Sequence, residues 1–208
     1  MMKLGIIGIG KLGTVLGQLA TKAGYTVYIA GSGEPPTMIV ETLVPGAQAV
    51  TAAQAADYAD VVILAIPLNQ YKKLPAKALA GKLVIDATNY WWEIDGPRND
   101  ILPTEQSSSE AVQEFLPDAR IVKAFNHMGY HDLYDETRPS GAPDRKAIAI
   151  AGDNSHDIDT VSYIVDGLGF DPLFIGSLSS GRKLEPGGKV FGADVDTQTL
   201  SRLVLSTK

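Results

Sequence analysis

The sequence predicts an α/β fold, a doubly wound and mostly parallel sheet with helices on both faces. Three features predict it. Short apolar runs alternate with helix-length segments along the chain. Several runs are apolar throughout, Val61-Val62-Ile63-Leu64-Ala65-Ile66 being the clearest, which is the pattern of strands covered on both faces. A glycine-rich turn joins the first run to the first helical pattern. Strands alternating with helices imply βαβ units with right-handed crossovers.

The first strand is read over Lys3–Ile9. A helix follows over Lys11–Ala23, where Leu12, Val15, Leu16, Leu19 and Ala20 recur at helical spacing and Gly24 stands where a C-cap glycine belongs. Thr26–Ala30 is the second strand, and Ala47–Val50 a further short one. Val61–Ile66, Leu83–Asp86 and Arg120–Phe125 come next. Ser107-Ser108-Ser109-Glu110 has the spacing of a capping box at the head of Ala111–Phe115. Lys146–Ala151 and Pro172–Ile175 complete the strands; between them Asp153 or Asn154 caps a helix ended by Gly167 and Gly169. Thr88–Gln106 and His127–Arg145 read as long loops leaving the carboxyl edge of the sheet, the edge where open α/β sheets bind ligands.

The chain has 208 residues, 45% hydrophobic and 20% charged, enough to bury a full core without disulfide or zinc staples. It is read as one dinucleotide-binding domain over 1–208, with 176–208 an extension that packs on it or on a dimer partner. The absence of cysteine excludes a disulfide scaffold, a thiolate metal site and a thiol nucleophile. A net charge of −6 argues against a broad nucleic-acid footprint. No apolar run approaches the ~20 residues that cross a bilayer, and the N-terminus lacks a secretory h-region, so a soluble cytoplasmic protein is expected.

Gly8-Ile9-Gly10-Lys11-Leu12-Gly13 fits G-x-G-x-x-G in the context that gives it meaning, after a strand and opening a helix. The first glycine allows the turn, the second lets backbone approach a pyrophosphate, and the third lets helix pack on strand. A diphosphate then sits on the helix N-terminus. This is the sign of a Rossmann dinucleotide-binding fold. An NAD site wants an acid at the end of the second strand, whereas Ala30 here runs into Gly31-Ser32-Gly33-Glu34. Ser32 can donate to a 2′-phosphate and Lys11 can supply a cation, so NADP is expected; Glu34 keeps NAD open as the alternative. Ile66-Pro67 closes a strand beside the cofactor. Thr88 and Asn89 suit a ribose or carboxamide, and Ala124 and Asn126, at the end of the Arg120 strand, complete the candidate contacts.

His127, just beyond a core strand, is the candidate general acid–base. No metal site is expected: His131 lies four residues on, but Gly129 interrupts any helix there and no third ligand has a zinc spacing. Trp91 and Trp92 are read as covering a core edge or an interface. Neither a G-x-S-x-G elbow nor a phosphate-binding G-x-x-x-x-G-K-[ST] loop occurs.

These motifs together resemble a family. The glycine loop, Gly31-Ser32, Ile66-Pro67 and Arg120-Ile121-Val122-Lys123-Ala124-Phe125-Asn126 recur in order, as do Ile150-Ala151-Gly152-Asp153-Asn154, Gly167-Leu168-Gly169-Phe170-Asp171-Pro172, Gly176-Ser177-Leu178 and Arg182-Lys183-Leu184-Glu185-Pro186. The chain resembles the NADPH-dependent reductases of the deazaflavin coenzyme F420, which are similar to the reductase domain of the STEAP metalloreductases. The resemblance implies a homodimer, NADP at the glycine loop, and hydride transfer between nicotinamide and a flavin-like ring. Gly8, Gly10, Leu12 and Gly13 match its phosphate loop and Ser32 its 2′-phosphate serine; Ile9 replaces a threonine and Gly33 an arginine. The expected function is an NADP-dependent oxidoreductase with a flavin, deazaflavin or other small acceptor. The alternatives are a small carbonyl or imine reductase and a non-catalytic NADP(H)-sensing module.

Overall fold

The computed structural model describes residues 2–103 and 106–207. In chain order they form β1 (Lys3–Ile7), α1 (Lys11–Lys22), β2 (Thr26–Ala30), α2 (Thr37–Leu43), β3 (Gln48–Val50), α3 (Ala52–Tyr58), β4 (Val61–Leu64), a 3-10 turn (Leu68–Lys73), α4 (Ala76–Leu79), β5 (Leu83–Asp86), α5 (Trp92–Asp95), α6 (Arg98–Ile101), α7 (Ser108–Phe115), β6 (Arg120–Lys123), α8 (Tyr130–Asp135), β7 (Ala147–Ala151), α9 (Ser155–Gly167), β8 (Asp171–Gly176), a second 3-10 turn (Leu178–Leu184) and α10 (Thr197–Ser206). The strands make one sheet in the order β3-β2-β1-β4-β5-β6-β7-β8. β1 to β6 pair in parallel, β7 meets β6 antiparallel at Lys123↔Ala151, and β8 runs parallel to β7.

Strand alternation divides the core between the two faces. Leu4 and Ile6 pack with Leu16 and Leu19 of α1, Val40 of α2, Leu133 of α8 and Ile164 of α9. Ile7 points the other way, with Ala55 of α3, Leu79 of α4 and Val112 of α7. In β7, Ile148 and Ile150 join the first cluster, while Ala147 and Ala149 pack under Leu200 and Val204 of α10. α7 begins with the expected capping box: Ser107 accepts from the Glu110 N–H and the Glu110 carboxylate accepts from the Ser107 N–H. Asn154 caps α9.

The strands leaving for the site are shorter than their apolar runs. β1 stops at Ile7, not Ile9, because Gly8 turns the chain at φ +122. β4 stops at Leu64, not Ile66, and β6 at Lys123, not Phe125, which takes φ +63. The two segments read as loops carry short helices, α5 and α6 in one and α8 in the other. Trp91 and Trp92 are 41% and 62% exposed, with Trp91 edge-on to Phe191.

The carboxyl ends of β5 and β6 hold a charge pair with no solvent contact. Asp86 and Lys123 are register partners, both 0% exposed, with Nζ 3.2 Å from Oδ2. Nζ also donates to the Thr88 carbonyl (2.6 Å) and the Ser108 hydroxyl (3.3 Å). Asp86 accepts from the Thr88 N–H and hydroxyl and from the Ser109 hydroxyl. Burial pushes the carboxyl up, but Lys123 and the Ser109 and Thr88 bonds outweigh it and hold Asp86 below its ordinary value. Removing one member of such a pair strands the other charge. Lys123→Met should therefore lose about 3–5 kcal/mol in urea unfolding, and adding Asp86→Asn should restore part of it. A double variant no more stable than Lys123→Met would show that the pair is not what holds this edge.

Candidate functional site

The turn from β1 to α1 is built by three glycines with different tasks. A Cβ on Gly8 would collide with the Ala65 carbonyl, and one on Gly13 with the Gly8 carbonyl oxygen. Both are needed for the helix to lie against the strand ends. Gly10 differs, since nothing lies within 4 Å of where its Cβ would stand. It is the N-cap of α1, no side chain caps the helix, and no acid occupies its first turn. The N–H groups of Lys11, Leu12 and Gly13 thus form the positive end of a 12-residue helix beside open space.

A cavity of about 460 Å³ opens beside this turn. It brings together Gly8, Ile9, Gly10, Ser32, Ile66 and Pro67 of the candidate cofactor residues. The opposite wall comes from the turn after β4, with Gln70, Lys73, Leu74 and Pro75. No carboxylate lines the cavity, and Lys73 is its single charged residue among the described residues. Glu34 is exposed and does not line it. Lys11 is not brought to Ser32: its Nζ lies 5.2 Å from the centroid of the Tyr130 ring, along a second groove of about 550 Å³ that shares Ile9 and Gly10 with the cavity.

Thr88, Asn89, Ala124 and Asn126 do not line the cavity. Thr88 is 2% exposed, with its hydroxyl given to Asp86, and Ala124 is buried. Asn89 donates to the Asn126 carbonyl (2.7 Å). Asn126 donates back to the Asn89 side chain (3.0 Å) and to the Leu184 carbonyl (2.8 Å). The two amides tie the loops after β5 and β6 together. The Oδ1 of Asn126 is buried without a partner among the described residues.

The structure places the acid–base candidate His127 in the core. It is 0% exposed, and its Nε2 accepts the Ala149 N–H of β7 at 3.0 Å. Burial pushes the imidazole down to about 4, against a smaller opposing effect of the Ala193 backbone. The ring is therefore neutral at pH 7 and has no exposed surface. His131 packs against the Tyr130 ring instead, 4.1 Å between centroids. Among the described residues, no group of three or more histidine or carboxylate side chains could hold a metal.

The buried Lys123–Asp86 pair and the Lys73 wall were both missed from sequence. Lys123 reads as an ordinary strand-end lysine, because nothing local says that Asp86 is its register partner. Lys72-Lys73, the first cations after Lys22, were the available signal for the second.

Gly10→Ala should fold normally and weaken whichever dinucleotide the wild type binds, NADPH or NADH, at least tenfold, about 1.4 kcal/mol, in a calorimetric titration. Gly13→Ala should fail to fold stably, since its Cβ meets backbone. Equal nucleotide affinity in Gly10→Ala and wild type would refute the open-cradle reading. For His127, the unfolded chain takes the proton at its ordinary 6.5 and the folded chain only near 4. Stability should be complete above pH 6.5 and fall by on the order of 3 kcal/mol as pH drops towards 4. His127→Gln should flatten that part of a pH–urea stability profile; an unchanged slope would show that another group titrates there.

Residues 3–90 match the model of the family described as NADP oxidoreductase, coenzyme F420-dependent. Metalloreductase STEAP3 of Rattus norvegicus is 30% identical over 186 residues, covering 88% of this chain but only 36% of that relative's length. Among solved structures, the Sinorhizobium meliloti protein SMa0349 superposes with a TM-score of 0.79 at 27% identity, over 94% of this chain and 95% of that one. An Arthrobacter sp. FB24 protein assigned as an F420-dependent NADP-reductase gives 0.70 at 21% identity, over 88% of each chain, a likeness of fold. No helix among the described residues is long and apolar enough to cross a membrane. The matched segment contains every residue that lines the cavity, from β1 and the glycine loop through β2 and α3 to the turn after β4, and over this segment the chain is similar to the family described as NADP oxidoreductase, coenzyme F420-dependent.

Proposed function

We propose that the protein is an NADP-dependent oxidoreductase that binds NADP(H) in the glycine-loop cavity and exchanges hydride with a flavin-like or other small acceptor. The observation that carries this reading is the open space over Gly10, set against the uncapped N-terminus of α1. There the N–H groups of Lys11, Leu12 and Gly13 hold the diphosphate. Ser32 donates to the 2′-phosphate, and Ile66 and Pro67 shape the apolar wall on the β4 side. The bound nicotinamide supplies the hydride chemistry.

What the chain contributes is position. Hydride transfer between two rings gains most from holding their faces together and excluding water, and needs no side-chain proton donor. The sealed, neutral His127 supports that form of the reaction over reduction of a carbonyl or imine, which would call for a proton at the acceptor. A cytoplasmic location and a homodimer belong to the same proposal, the dimer supported by the family resemblance alone.

The test is a parallel titration with NADPH and NADH, followed by NADPH oxidation with a deazaflavin, FMN, FAD and a quinone as acceptors. Tighter NADPH binding and turnover with one of the ring acceptors is the expected result. NADPH binding without turnover on any acceptor would leave the sensing module. Binding of neither nucleotide would overturn the proposal.

A further inference from the structure

We propose that Lys73 is the cation that recognises the 2′-phosphate of NADP(H), acting from across the cavity in place of a basic side chain at the end of β2. This deepens the proposed function and rests on it. The end of β2 is poorly placed to provide the charge itself. Gly33 sits at φ +97, a conformation that residues with side chains adopt only with strain, although the space around its Cβ position is open. The backbone of the turn thus favours glycine at the position where the charge is needed. Ser32 beside it offers a hydroxyl, which can hydrogen-bond a phosphate but cannot neutralise one.

Lys73 supplies what is missing. It lines the same cavity as Ser32 and Gly33, it is the one charge there among the described residues, and no carboxylate competes for it. It makes no hydrogen bond or ion pair among the described residues, whereas the neighbouring cations are engaged. Lys72 lies over the Tyr71 ring at 5.6 Å, and Lys11 over the Tyr130 ring. The backbone that carries Lys73 is anchored while its side chain is exposed, since Tyr71 and Leu74 on either side are 5% and 7% exposed. A lysine suits this role, because a compact ammonium on a flexible stem can meet a phosphate from across a cavity without the fixed geometry an arginine fork requires. The same wall lacks the acid that would bind an unphosphorylated ribose diol and repel a 2′-phosphate.

The test is isothermal titration of the full chain and its Lys73→Gln variant with NADPH and with NADH. Lys73→Gln should bind NADPH at least tenfold more weakly, about 1.4 kcal/mol, while NADH affinity stays within twofold. Lys73→Arg should keep the preference, and Lys72→Gln should leave it unchanged. Adenosine 2′,5′-bisphosphate should displace NADPH from wild type and be a weak competitor for Lys73→Gln. A wild-type NADPH/NADH ratio in Lys73→Gln, or an equal loss for both nucleotides, would overturn the inference with the nucleotide site intact. A wild-type chain that binds neither nucleotide would overturn the site itself.

Discussion

The contact on which the rest of this molecule depends is the close approach of α1 to the carboxyl end of β1. A Cβ on Gly13 would meet the Gly8 carbonyl, and one on Gly8 would meet the Ala65 carbonyl just past β4. That approach holds the positive end of a two-sided amphipathic helix at the mouth of the crevice. Its energy comes from elsewhere, from Val15, Leu16, Leu19 and Ala20 buried against the sheet, on the order of 1.5–3 kcal/mol for each fully buried large side chain. Glycine decides only how near the helix can come. That nearness is what makes an anion site.

Sheet order does the second part. β1 is flanked by β2 on one side and β4 on the other, so the chain reverses direction of travel across the sheet at β1. A crevice opens at such a switch point beyond the carboxyl ends of the strands. Ser32 enters it from the β2 side and Ile66, Pro67 and Lys73 from the β4 side, although they are distant in sequence. The cavity is therefore a property of the topology, with few side chains committed to it.

The other half of the carboxyl edge is rigid for a different reason. Lys123 and Asp86 give up hydration entirely, a cost repaid only because each finds several further partners. The Asn89–Asn126 pair closes the loops above them, and Phe125 is held at φ +63 while fully buried. A bulky residue keeps that backbone only when its surroundings over-determine it. This side of the sheet braces the crevice.

The sequence by itself determined the fold class, the strands, the capping of α7 and α9, and the glycine loop. Each of these is written in local signals: apolar runs, a Ser-x-x-Glu box, glycines at fixed spacing. Strand ends were misread where apolar residues continue past the last ladder bond, at Ile9, Ile66 and Phe125, because hydropathy does not report backbone direction. What only the tertiary structure decided is which polar residues meet. His127 lies just beyond a strand and is buried against β7; Lys11, a candidate cation of the glycine loop, lies over Tyr130; of Lys123 and Lys73, which no local signal singles out, one is buried on Asp86 and the other lines the cavity. A side chain's chemistry is set by burial and by partners tens of residues away, and these exist only once the strands are in register.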